Sequence, residues 1–221
     1  SSVTISPFQK TIAEHPLSFA QQRLWFINKL EPNSPVYNIA IAIRIKGQLN
    51  EVALSESLKE IIRRHEVLRA SFKAVNGEPV QVILGREAEK QGKYFLIPNF
   101  ESEIQSFLVQ EGQQPFDLPE GGLFKTKLLR LNAEESILLF TMHHIIFDGW
   151  SAGVLIREIA ALYKAFLTGK PSPLPELTIQ YVDYAYWQRE WLKGEILESQ
   201  LAYWKQQLGG NLPVLNLPTD Y

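Results

Sequence analysis

The run Met142-His143-His144-Ile145-Ile146-Phe147-Asp148-Gly149-Trp150-Ser151 decides how the rest of the sequence is read. It follows Ile137-Leu138-Leu139-Phe140, an apolar stretch expected to be a buried strand, and it precedes a helical pattern from Ser151 to about Leu167. A strand end leading through a loop into a helix is where α/β folds display reactive groups. Neighbouring residues of a strand point to opposite faces. His143 and His144 therefore have different roles, one facing a cleft and the other the interior. An imidazole there can take a proton at neutral pH. Asp148 could hold that ring or pair with an arginine to fix the loop, and Gly149 lets a substrate approach the backbone. Two plainer readings stand beside this one. A strand-end histidine can be purely structural, and His-His with an aspartate four residues on could ligate zinc or iron. The second requires the ligands to share a helical face, which Ile-Ile-Phe after a strand does not offer.

Working outward, Ser18 can cap a helix carrying Phe19, Leu24, Trp25, Ile27 and Leu30, stopped by 31–35. Tyr37 to Ile45 reads as a central strand, apolar on both faces. Asn50 caps a second helix with Leu54, Leu58, Ile61 and Ile62 inward and Lys59, Arg63 and Arg64 outward. Leu68 to Val75 and Pro79 to Leu84 form a hairpin at Asn76-Gly77. Tyr94 to Ile97 is a further strand candidate and Glu103 to Glu111 a helix. Phe124 to Leu131 and Ser136 to Met142 are strands, the first with one wet face and the second buried. Ile179 to Leu192 and Glu195 to Leu208 read as helices. Residues 1–16 read as a linker and 209–221 as an extended connector. Hairpins interspersed with helices predict an α+β fold, a mixed α/β sandwich.

Composition narrows the function. At 45% hydrophobic and 21% charged, the 221 residues can bury a large core. A net charge of −2 offers no general attraction to nucleic acid or an anionic membrane. The chain has no cysteine, which excludes disulfides and thiolate chemistry and fits a cytoplasmic setting. No apolar run reaches the length of a membrane span.

Five ordered segments carry a resemblance. The pattern of two histidines, three residues and Asp-Gly at 143–149 resembles the central signature of non-ribosomal peptide synthetase condensation domains, in the chloramphenicol-acetyltransferase-like superfamily. Leu17-Ser18-Phe19-Ala20-Gln21-Gln22-Arg23-Leu24-Trp25 is similar to that family's first motif. Arg64-His65-Glu66-Val67-Leu68-Arg69-Ala70-Ser71-Phe72 is similar to its second, with Ala70 in place of the usual threonine. Tyr181-Val182-Asp183-Tyr184-Ala185-Tyr186-Trp187-Gln188 is similar to the fourth, and Gln114-Pro115-Phe116-Asp117-Leu118 to another frequent stretch. Phe147 stands where smaller residues are commoner.

The resemblance implies a single lobe at 17–208, the N-terminal half of a two-lobed domain whose partner is a missing C-terminal lobe. The implied reaction joins a donor acyl or peptidyl thioester to the amine of an acceptor aminoacyl thioester. Each substrate rides on the 4'-phosphopantetheine arm of a carrier protein, and no cofactor or metal is intrinsic. His144, Asp148 and Gly149 are the implied catalytic positions. His143, Arg23 and Arg69 support them, with Asp148 paired to Arg23 or Arg69. The aromatic group Tyr181, Tyr184, Tyr186, Trp187 and Trp191 reads as helix packing. Epimerisation is the nearest alternative, although Asp148-Gly149-Trp150-Ser151 departs from that subtype's usual order. A heterocyclising relative, a coenzyme A-dependent acyltransferase and a non-catalytic docking module are further alternatives. An isolated lobe could also be inactive or self-associate through its exposed interface.

Overall fold

A computed structural model describes residues 4–8, 13–85 and 104–216. Two antiparallel three-stranded sheets form among them. One has β1 (Glu14–Pro16), β4 (Glu78–Ile83) and β3 (Ala70–Val75), in that order. The other has β2 (Asn38–Lys46), β6 (Glu135–His143) and β5 (Phe124–Asn132). Helices α1 (Phe19–Leu30), α2 (Glu51–Arg64), α3 (Ile104–Gly112), α4 (Gly149–Leu167), α5 (Tyr181–Trp191) and α6 (Gly194–Leu208) complete the described architecture. This is the mixed α/β arrangement that the hairpin and helix patterns predict.

Strand β6 explains its own composition. Residues Ser136 to His143 are all buried. Leu138, Phe140 and Met142 enter the main core, while Ile137 and Leu139 pack with Ile104, Phe107 and Leu108 of α3. Both faces are covered, so the usual apolar–polar alternation is absent. The β3–β4 turn places Asn76 at φ +52° and Gly77 at φ +86°, the pair of left-handed residues that a tight two-residue hairpin requires. Helix α1 starts with a reciprocal cap in which the Ser18 hydroxyl accepts from the Gln21 amide and the Gln21 side chain accepts from the Ser18 amide.

Four expectations need correction. Strand β2 is an edge among the described residues, not central: Ala40, Ala42, Arg44 and Lys46 are exposed on one face. Its aliphatic character comes from Ile39, Ile41, Ile43 and Ile45 packing inward. The stretch 1–16 is not all linker, because Glu14–Pro16 pairs with β4 and buries His15. Arg64 does not face solvent. It is 3% exposed and donates to the Pro175 carbonyl at 2.8 Å and to Glu158 at 3.5 Å. The last turn of α2 tucks under the loop before α5, and there the guanidinium serves as a buried clamp. Helix α4 begins at Gly149 rather than Ser151, since Asp148 is its cap. The strand candidate at Tyr94 to Ile97 and the end of the connector, 217–221, lie outside the described residues; 209–216 forms no regular element and is exposed.

Candidate active site

The loop 144–148 leaves the end of the central strand β6 and enters α4. His143 is 2% exposed, on the strand face of Ile137 and Leu139, with the rings of Tyr37 and Phe116 beside it. Its Nδ1 accepts a hydrogen bond from the Ile145 amide at 3.1 Å. Burial, with a smaller contribution from His144, pushes its pKa down to about 4. The ring is therefore neutral at physiological pH and serves as an acceptor that shapes the loop.

His144 turns the other way. It is exposed and lines a cavity of about 580 Å³ bounded by α1, the turn after α2, the start of α4 and the entry to α5. Its Nδ1 lies 2.8 Å from the Phe147 carbonyl. A carbonyl only accepts, so Nδ1 carries the hydrogen and the neutral ring presents an unprotonated Nε2. The main chain itself fixes the tautomer of a proton acceptor.

Asp148 does something other than the resemblance implies. Its carboxylate accepts from the Ser151 amide at 2.8 Å and from the Ser151 hydroxyl at 2.6 Å, which makes it the N-cap of α4. These bonds outweigh the opposing effect of partial burial and hold its carboxyl below the usual range. No ion pair joins it to Arg23 or Arg69 among the described residues. Arg23 is exposed at the cavity, while Arg69 donates to the carbonyls of Ile62 and Leu84 and so ties α2 to the end of β4. An exposed loop carboxylate is satisfied more simply by the free N–H groups of the helix it begins.

Gly149 has an ordinary negative φ, and a Cβ placed there meets no atom within 4 Å. Neither backbone conformation nor packing within the described residues requires glycine. Trp150 follows, 84% exposed at the cavity rim.

Three cavity residues are not singled out as site residues by the sequence reading. Gln21, 1% exposed, shares its side-chain oxygen between the Ser18 amide and Gln81. Tyr181 belongs to an aromatic row with Tyr184, Trp187 and Trp191, yet it also lines the cavity and meets the Ser18 hydroxyl at 3.0 Å. His65 stands in the cavity wall with Nε2 at 2.7 Å from Glu158. A signal existed for the last: Glu158 interrupts the inward stripe Leu155, Ile159, Leu162, and a carboxylate beside such a face asks for a partner. Among the described residues no three His, Asp or Glu side chains converge as metal ligands. No described helix is long and apolar enough to cross a membrane.

The Condensation domain family matches residues 11–221. One linear gramicidin synthase polypeptide of Brevibacillus parabrevis is 50% identical over 94% of the chain, and malpinin synthetase of Mortierella alpina is 46% identical over 93%. The chain spans 4% and 3% of the lengths of those two relatives. Among solved structures, the X-domain of teicoplanin biosynthesis in complex with OxyB superposes with a TM-score of 0.85 at 26% identity, covering all of this chain and 49% of that one. The first condensation domain of the calcium-dependent antibiotic synthetase, with a substrate analogue, gives 0.79 at 20% identity over 93% of this chain and 51% of that one, a likeness of fold. The segments at 17–25, 64–72, 143–149 and 181–188 thus come together around one cavity, and this chain belongs to the condensation domain family.

Proposed function

We propose that the chain is the N-terminal lobe, 17–208, of a condensation domain that forms an amide between two carrier-bound thioesters. The observation that carries the reading is the fixed tautomer of His144, with Nδ1 committed to the Phe147 carbonyl and Nε2 free at the cavity. In the reaction, the amine nitrogen of the acceptor attacks the donor thioester carbonyl. The C–N bond forms, the C–S bond breaks, Nε2 of His144 takes the amine proton, and that proton passes to the departing thiolate. The lengthened product remains on the acceptor's carrier protein.

The other residues fit subordinate parts. Asp148 holds the first turn of α4, and His143 holds the loop by accepting from Ile145. Gly149 leaves room for the thioester, which accounts for a glycine that the local fold does not need. Arg23 and Arg69 are supporting residues, Arg23 at the cavity and Arg69 within the α2–β4 junction. Both substrates ride on 4'-phosphopantetheine arms and the partners are donor and acceptor carrier proteins, in the cytoplasm, with a C-terminal lobe closing the cavity. A single positioned acid–base group contributes about 10²–10⁴-fold, and alignment of two tethered reactants contributes further.

The test is mass spectrometry of the acceptor carrier after incubation with a loaded donor carrier, using this chain with and without the second lobe. The expected result is a mass gain equal to the donor acyl group when both lobes are present. Scrambled stereochemistry on one carrier with no mass gain would instead assign epimerisation.

A further inference from the structure

The cavity beside His144 has two kinds of wall. The segments at 17–25, 64–72 and 181–188, with the run 142–151, supply its ionisable groups, among them Arg23, His144 and Asp148. Outside them the wall comes from Ile27 on α1, Val154 and Leu155 on α4, Tyr37 before β2, and Leu177, Ile179 and Gln180 before α5. The polar atoms of Gln180 are occupied: Oε1 accepts from the Glu66 amide at 3.1 Å and Nε2 donates to the Arg64 carbonyl at 2.8 Å. The Tyr37 ring packs beside the buried His143, with 6.5 Å between centroids. Among the described residues, what remains of this wall is aliphatic, and Leu177 is 37% exposed, so its surface is bare. A polar side chain seated here gives up water without gaining a partner, whereas an apolar one gains with each methylene it buries. Arg23 alters this little, because it is exposed and a surface ion pair is weak. The volume of about 580 Å³ is that of a small-molecule site.

We propose that this aliphatic wall, formed by Ile27, Val154, Leu155, Leu177 and Ile179, selects a carrier-bound substrate with an apolar side chain over a polar one of the same shape. The inference rests on the cavity being the site of amide formation. The test is single-turnover amide formation by the two-lobed protein with leucyl and asparaginyl groups, which match in shape. In one arm the donor carrier bears them against a glycyl acceptor, and in the other the acceptor carrier bears them against a glycyl donor. In one arm leucyl reacts at least about tenfold faster, the discrimination an apolar pocket gives a small change in its ligand, and that arm identifies the substrate seated here. Leu177→Asn and Ile27→Asn, each checked for folding by its melting temperature, lower that preference by about fourfold, the worth of one buried methylene. Equal rates, or faster asparaginyl, in both arms overturn the proposal. So does a leucyl preference that both variants, folded, leave intact. If no pairing yields amide, amide formation in this cavity is itself refuted and the inference falls with it. Amide formed at equal rates leaves the role of His144 standing on its own assay.

Discussion

Acid should weaken this fold earlier than its carboxylates can account for, because His143 is buried in the neutral form. Its pKa falls from the ordinary 6.5 to about 4. Between those values the unfolded chain binds a proton that the folded chain refuses, so stability rises with pH across this window. The contribution is fully present above 6.5 and is lost as pH falls toward 4. The difference of about 2.5 units amounts to about 3 kcal/mol when the window has been crossed, and about 2 kcal/mol at about pH 5. The carboxyls of Asp148 and Glu158, both held below their ordinary values, lose their contributions only at lower pH. For a chain of this size the effect at about pH 5 is a fall in melting temperature of roughly 4–8 °C. The control is His143→Asn, which can still accept from Ile145 but does not titrate. Urea unfolding at about pH 5 and about pH 7.5 gives the slope for each protein. The wild type should lose about 2 kcal/mol more than the variant between these conditions. Equal losses would refute the assignment of a buried neutral imidazole.

Other expectations follow from the contacts. Asp148→Ala removes a helix cap and not a buried ion pair, so it costs about 1 kcal/mol in calorimetry; a loss of roughly 3–5 kcal/mol would restore the pairing implied by the resemblance. Arg64→Ala strands the Pro175 carbonyl and half of the Glu158 contacts, and denaturant titration should show a loss of about 3 kcal/mol. Gly149→Ala meets only open space, so its melting temperature stays within about 2 °C while the rate of amide formation falls.

The core and the site were legible to different degrees. Helices α1 and α2 announce themselves because cap residues Ser18 and Asn50 precede apolar faces at helical spacing, and α4 by its apolar spacing alone. The hairpin at Asn76-Gly77 is set by local backbone preference alone, and β6 by a run too apolar for any exposed face. Strand β2 misled because its alternation is weak: Ala40 and Ala42 on the exposed face read as core by composition. Arg64 misled because burial of a guanidinium depends on a carboxylate and a carbonyl that arrive from 94 and 111 residues away. Asp148 shows the limit most clearly. Its partner is only three residues on, yet the sequence pattern points to the histidine ring or an arginine, and it is the backbone geometry that makes it a cap. His65 reads from sequence as a structural hydrogen-bonder, but its partner was hidden for the same reason as that of Arg64, since Glu158 lies on a different helix.

The most direct test of the account is the single-turnover rate of amide formation with His144→Ala, measured on a two-lobed protein whose melting temperature matches the wild type. The expected result is a loss of about 10²–10⁴-fold with substrate binding largely retained. A rate equal to wild type would contradict it and move the chemistry away from Nε2 of His144.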